Sequence, residues 1–364
     1  MHIQAAVLRA NDGPFTLETV EMTAPRRHEI LVRIVGTGFC HTDVLPRNPA
    51  FLAQPPIILG HEGSGIVESV GTDVTDFAVG DHVLASFDSC GRCENCRRSH
   101  PAYCREFFAR NLTGRAVDGI DTVHDAEGTA IASRWFGQSS FASHVLLTER
   151  NAVKVDNSLP LELLGPLGCG IQTGAGSILE ALRVGAGSTV AVFGAGGVGL
   201  SAVMAARVAG AARIVAVDLH PSRLETALEL GATDVVLGSD PDVAKQIRKL
   251  TAGGAQFALD TTAVPEVVTS ALSALRTTGT LGLVGAGARP ITLAPDALSS
   301  GKNIMGILEG DVTPQIFIPQ LIELWQQRRF PFDRMITTYP MTEINAAESD
   351  SASGATIKPV LVNV

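Results

Sequence analysis

Clustered positive charge is missing from this chain. Its 364 residues carry 28 Lys and Arg against 37 Asp and Glu, a formal net charge of −9. The pair Arg97 and Arg98 is too short to neutralise a row of phosphates, so nucleic-acid binding is not expected. A long apolar run is missing too. The most apolar stretch, Val190 to Gly210, is broken by glycines, and no window approaches the roughly 20 apolar residues of a spanning helix. The opening MHIQAAVLRANDG has no basic start followed by an apolar stretch, so no secretory signal is read and a cytoplasmic location is expected. Internal repeats and low-complexity segments are absent as well.

What is present is the composition of a globular protein, 45% hydrophobic and 18% charged, long enough for two domains. Residues 1–165 are rich in short β-type runs punctuated by glycine and proline, such as EILVRIVGTG, GSGIVESVG and SFASHVLL. The pattern changes near Pro166. STVAVFG, VGLSAVMAARVAG, RIVAVD and PSRLETALELG alternate strand and helix, which predicts βαβ units and a parallel sheet over 166–309. Beyond Glu309 the alternation stops. The closing TIKPVLV reads as a strand, so 310–364 is expected to return to the first domain.

Within AVFGAGGVGLSAV, Gly194, Gly196 and Gly199 form G-x-G-x-x-G, with Gly197 and Val198 inside the turn. The motif alone is weak, but here it follows a strand, opens a helix and precedes a strand that ends in Asp218. Such a turn brings backbone against a pyrophosphate and aims a helix N-terminus at the anion. Asp218 would accept bonds from the adenosine ribose and repel a 2′-phosphate, favouring NAD, although Arg223 nearby could tolerate that phosphate.

Cys90, Cys93, Cys96 and Cys104 are spaced C-x2-C-x2-C-x7-C, which lets one loop wrap a tetrahedral ion. Disulfides would need an oxidising compartment, and an iron–sulfur cluster favours a shorter last gap followed by proline. Zinc is the expected ion. A closed four-thiolate site leaves no position for a substrate, so this one is expected to stabilise the lobe 90–104 and not to catalyse. The other two cysteines, Cys40 in GFCHTD and Cys169 in GPLGCGIQTG, stand far apart with His61 of LGHEGSGIV between them. Singly each reads as a packing residue. Together they offer Cys2His, the ligand set of a zinc that keeps one position open.

At this point the sequence resembles the zinc-dependent medium-chain alcohol dehydrogenases, and within them the aryl (benzyl) alcohol dehydrogenase branch. GFCHTD, GHEGSGIVESVG, VGDHV, the four-cysteine lobe, GPLGCGIQTG, GAGGVG and TIKPVLV carry the likeness in family order along essentially the whole chain. PAYCREFF and ILEGD carry the likeness to the branch. The resemblance implies an α/β protein with a GroES-like β-rich catalytic domain and a Rossmann doubly wound coenzyme domain. It implies one catalytic and one structural zinc per chain, NAD as coenzyme, and a homodimer or homotetramer, while the lack of a long apolar run already argues against a membrane. It implies that Cys40, His61 and Cys169 bind the catalytic zinc, with Glu62 able to approach the metal and Asp43 holding the ring of His61. Thr173, Val198 and Val284 match positions at the nicotinamide end, and Lys358 one that contacts the pyrophosphate.

The implied reaction is reversible oxidation of a primary alcohol to the aldehyde by hydride transfer, with Thr42 accepting the alcohol's proton. Two positions depart from the family. Leu45 stands where many members carry a proton-relaying His, and His41 where many carry an Arg facing the pyrophosphate. Ser86, Trp135, Phe136 and Leu308 match pocket-lining positions, with Leu45 and Phe51 near the mouth. That lining suits a benzylic or other bulky apolar alcohol, although Trp135 and Phe136 read equally well as core residues. Glutathione-dependent formaldehyde dehydrogenase activity is the nearest rival, and His41 argues against it. A non-catalytic zinc- and nucleotide-binding protein is a further alternative, which the set Cys40, Thr42, His61 and Cys169 argues against.

Overall fold

Ile30, Val32 and Ile34 alternate along one strand, Glu29–Gly38, and all three are buried in one cluster with Val67, Val83, Val145 and Leu147. The period of two sends Arg33 to the other face, where it pairs with Glu68 at 2.8 Å. Such half-buried strands build the first unit. The run Thr189–Phe193 behaves differently, because almost all of it is buried, as expected of a parallel strand covered on both faces. The structure is a computed structural model that describes every residue except Ala286, Ala288 and Val364.

By its contacts the chain divides into Met1–Cys169, Thr313–Gln320 and Asp333–Val364 as one unit, and Gly170–Val312 with Leu321–Phe332 as the other. The divisions read from sequence were 165/166 and 309/310. The segment Leu321–Phe332, read as part of the returning tail, clusters with the second unit, where Trp325 and Phe332 hold their rings 5.2 Å apart. Among the described residues no helix is long and apolar enough to cross a membrane.

The first unit contains a seven-stranded sheet. Its path runs Ile336–Pro340, Lys358–Val362, Glu29–Gly38, Gly63–Val70, His82–Ala85 and Ala152–Val155, with His144–Thr148 added on Glu29–Gly38. The TIKPVLV segment thus lies inside the sheet, with Val360 opposite Gly38. A four-stranded sheet of Ile57–Ile58, His2–Leu8, Phe15–Met22 and Val123–His124 completes the unit's β structure.

The second unit holds six parallel strands in the order Asp234–Leu237, Arg213–Asp218, Thr189–Phe193, Ala255–Asp260, Leu275–Leu283 and Asn303–Gly306. Strand order reverses between Thr189–Phe193 and Ala255–Asp260. Doubly wound sheets open a crevice at the carboxyl ends of the strands flanking such a reversal.

One buried charge cluster ties the first unit together. Glu29 accepts from Arg134 Nη2 at 2.6 Å and from Arg26 Nη2 at 2.8 Å, while Arg134 Nη1 donates to the Leu146 carbonyl at 2.7 Å. Burial alone would raise the Glu29 carboxyl, but the two arginines outweigh it and hold the group below the usual range. Glu29→Gln is expected to destabilise the protein by about 3 kcal/mol, because it strands the buried Arg134 charge. A depressed carboxyl stabilises the fold above its unfolded pKa and loses that contribution as pH falls through the folded value. The melting-temperature gap between E29Q and the parent is therefore expected at pH 7 and should close below about pH 4.

Candidate metal and nucleotide centres

Cys40 sits at the start of the short 3-10 helix His41–Arg47, and Asp43 in its first turn reaches back to accept from the Cys40 amide at 3.1 Å. The other oxygen of that carboxylate accepts from the Gly60 amide at 3.0 Å and meets His61 Nδ1 at 2.7 Å. Asp43 therefore joins the Cys40 turn to the His61 segment. Cys169 follows the 3-10 turn Gly165–Gly168. The ligand atoms of Cys40, His61, Glu62 and Cys169 all lie within 4.8 Å of one another.

The residues fit a cation on chemical grounds. His61 is 1% exposed, and its Nε2 has no hydrogen-bond partner, which is costly for a buried ring nitrogen unless a metal takes the lone pair. Burial lowers the affinity of the ring for a proton, but Asp43 and the Cys40 thiol outweigh it and hold His61 well above the usual imidazole range. The Cys40 thiol is held well below its usual range by the neighbouring Cys169 sulfur, against burial and with help from Lys358 and His61. Two thiolates and an imidazole, at zinc bond lengths of about 2.0–2.3 Å, make a tetrahedral set with one position left over.

Lys358 corrects an expectation. Its side chain is turned into the first unit, where the ammonium donates to Glu62 Oε1 at 2.6 Å and to the Phe39 carbonyl at 3.3 Å. The residue is 5% exposed, so its charge is committed to Glu62 and not held out for a pyrophosphate. Burial raises the Glu62 carboxyl above its ordinary range, and burial of the lysine is outweighed by Glu62, which raises the ammonium.

Of the residues matched to pocket-lining positions, Ser86 turns inward, and so do Trp135 and Phe136, which read equally well as core. Ser86 is fully buried and donates to the Gly168 carbonyl at 2.7 Å, beside Cys169. Trp135 is fully buried, with Nε1 donating to Asp43 Oδ1 at 3.0 Å. Phe136 lies nearly flat on the His61 ring, with centroids 4.4 Å apart. These side chains support the centre and offer no open wall, because their polar atoms and ring faces are already used. Leu45 and Phe51 are half-buried, and Phe51 meets Trp135 at 6.0 Å. Thr42 Oγ1 lies 3.7 Å from Cys40 Sγ, and His41 is exposed. Gln138 was not foreseen. It donates to the His61 carbonyl at 2.8 Å and accepts from the Gly63 amide at 3.1 Å, and a glutamine in GQSS carries no spacing signal.

The second cysteine cluster is local. The thiols of Cys90, Cys93, Cys96 and Cys104 also lie within 4.8 Å of one another, and none of the six cysteines is in a disulfide. Amides aim at these sulfurs: Cys90 N reaches Cys104 Sγ at 3.2 Å, and Cys93 N reaches Cys90 Sγ at 3.3 Å. The amides of Arg105 and Cys96 pull the Cys93 thiol down to about 6, whereas burial pushes Cys104 up to about 12. A divalent cation resolves that disparity by making all four thiolates.

In the second unit the strand Thr189–Phe193 ends at Gly194, whose φ of 92° requires glycine, and Gly196 caps the helix Gly197–Val208. A Cβ added at Gly199 would overlap the Gly194 carbonyl, so the helix can approach the turn only as it stands. Asp218 Oδ2 accepts from the Ala195 amide at 2.7 Å and its Oδ1 from the His220 amide at 2.9 Å. A cavity of about 590 Å³ is lined by Gly194, Gly196, Asp218, Arg223, Thr261 and Thr262. Arg223 Nη1 stands 3.9 Å from Asp218 Oδ2, and its buried Nε has no partner. The cavity size, the glycine turn and the helix terminus fit the adenosine and pyrophosphate of a dinucleotide.

Val198 packs where a Cβ on Gly174 would overlap its carbonyl, next to Thr173 on the helix Gly170–Gly176. Thr173 Oγ1 and Gln172 Nε2 donate to Glu309 at 3.4 and 3.3 Å. Glu309, adjacent to the half-buried Leu308, carries no site signal in the sequence beyond its place in ILEGD. Val284 follows the strand Leu275–Leu283 and donates to the Asp260 carbonyl at 3.0 Å.

Known proteins resemble this chain over its length. Residues 26–157 match the alcohol dehydrogenase GroES-like domain family, and residues 197–327 the zinc-binding dehydrogenase family. A geraniol dehydrogenase from Castellaniella defragrans is 47% identical over 99% of this chain and 97% of its own length. The crystal structure of benzyl alcohol dehydrogenase from Acinetobacter calcoaceticus is 43% identical, covers both chains fully and superposes with a TM-score of 0.96. That of an alcohol dehydrogenase zinc-binding domain protein from Burkholderia ambifaria is 49% identical, covering 100% of this chain and 99% of its own, with a TM-score of 0.97.

Elemental analysis of the purified protein is expected to give one zinc for each of the two ligand clusters. Cys169→Ser should lose one of them and almost all turnover while its melting temperature stays near that of the parent. Cys93→Ser should lose the other and melt at clearly lower temperature.

Proposed function

We propose that this chain, which belongs to the zinc-dependent medium-chain alcohol dehydrogenase family, oxidises an allylic or benzylic primary alcohol to its aldehyde with NAD. The observation that carries the reading is the convergence of Cys40, His61 and Cys169 beside the Thr42 hydroxyl. When bound, zinc polarises the alcohol oxygen and NAD accepts the hydride.

The chain's own residues do the rest. Asp43 holds His61 Nδ1 so that Nε2 is presented as a ligand, and the buried aromatic rings of Trp135 and Phe136 keep water from the imidazole. Lys358 neutralises Glu62, so the two thiolates are the net charge brought to the metal. Thr42 Oγ1 takes up the substrate proton as the alcohol is oxidised. Leu45 cannot pass that proton on, so it leaves by water or by the coenzyme's ribose. Asp218 on the wall of the nucleotide cavity favours NAD, since a 2′-phosphate would meet its charge.

The substrate class draws support from two similar proteins. Geraniol and benzyl alcohol, named for the Castellaniella and Acinetobacter enzymes, both carry the hydroxyl one carbon from a π system. Loss of hydride there gives a conjugated aldehyde. A panel of geraniol, benzyl alcohol, 1-hexanol and S-hydroxymethylglutathione with NAD and NADP tests the reading at the NADH absorbance band. Geraniol or benzyl alcohol with NAD should lead in kcat/KM, and a lead by the glutathione adduct would overturn the assignment. Thr42→Val should lower kcat at least a hundredfold with both metals retained.

A further inference from the structure

Asp43 is fully buried, and its carboxylate accepts four hydrogen bonds. Three donors belong to the ligand segments themselves: the Cys40 amide, the Gly60 amide and the His61 ring. The fourth, the Trp135 indole, comes from a segment that supplies no ligand. It bonds Oδ1, the same oxygen that holds His61 Nδ1.

Trp135 is itself firmly placed. Its amide donates to Ser139 Oγ at 2.9 Å, and that hydroxyl donates to the Ile58 carbonyl at 2.7 Å. Phe136 and Ser139 take left-handed backbone at φ 51° and 56°, which costs energy for residues with a Cβ. The turn lays Phe136 on the His61 ring while the indole of Trp135, edge-on to the same ring at 6.5 Å, reaches behind it to Asp43. An indole can donate and never accept. Its bond to Oδ1 pins the rotamer from which that carboxylate orients the imidazole.

The geometry points to Trp135 as a positioning residue of the Cys40, His61 and Cys169 centre, acting through Asp43 to hold His61 Nε2 on the metal. This rests on the metal reading given above. Outer partners of this kind change metal affinity by about ten- to a hundredfold when removed. Trp135→Phe keeps an aromatic ring and deletes the donor.

The test uses full-length protein with cobalt(II) in the Cys40, His61 and Cys169 centre, followed by its thiolate charge-transfer band against a chromophoric chelator. W135F should release this metal about tenfold more readily while the four-cysteine metal stays bound. Equal retention by W135F and the parent would overturn the inference alone. A parent that holds metal only at the four-cysteine cluster would overturn the functional reading and this inference with it. A second measurement covers failure of W135F to fold. With two tryptophans in the chain, the indole proton resonance of Trp135 in the parent should be slow to exchange and shift upfield in Asp43→Asn. An unmoved resonance would overturn the proposed bond.

Discussion

A carboxylate without access to water must be given hydrogen bonds or stay unfolded, and the first unit is arranged around that demand at Asp43. Its donors are the backbone of the Cys40 turn, the backbone before His61, the His61 ring and an indole. Satisfying one buried anion therefore fixes where two candidate metal ligands stand and which way one of them faces. The cost of leaving any of these donors out is the cost of a buried unpaired group, which is larger than the gain from an ordinary hydrogen bond. The order of the centre follows from that asymmetry.

The two candidate metal clusters use opposite strategies. Cys90, Cys93, Cys96 and Cys104 come from one loop, whose own amides aim at the sulfurs. That cluster needs little from the rest of the fold. The other gathers Cys40, His61 and Cys169 from segments far apart in the chain, and it depends on partners such as Lys358, Gln138 and Trp135. A local cluster is cheap to assemble and closed. A dispersed one can leave a position open, because sheet and turn geometry keep its ligands apart, with no loop wrapping them.

This contrast also decides what could be read from residues alone. Cysteine spacing, the Gly194–Gly199 turn and the strand ending in Asp218 are local patterns with local physical meaning, and so is the strand–helix alternation after Pro166. Cys40, His61 and Cys169 carry no local signal; only taken together do they offer a Cys2His ligand set, and likeness to a family points to the same three. Trp135, Ser86 and Lys358 occupy positions that suggest contact with substrate or coenzyme. The structure turns their polar atoms to Asp43, Gly168 and Glu62, because each of those groups is buried and needs a partner. Pairings between residues so distant in sequence leave no periodicity to detect. Leu321–Phe332 escaped for the same reason, since membership of a unit is a matter of contacts and not of order along the chain.

The ion pair of Lys358 with Glu62 has a bearing on how the protein is made. The second unit is built almost wholly from one continuous stretch, Gly170–Val312, which leaves the ribosome before the strand Lys358–Val362 exists. Glu62 emerges earlier and cannot be neutralised by its buried partner until the strand Lys358–Val362 has been made. Vectorial synthesis thus brings out the whole of Gly170–Val312 before Glu62 can meet the lysine that neutralises it.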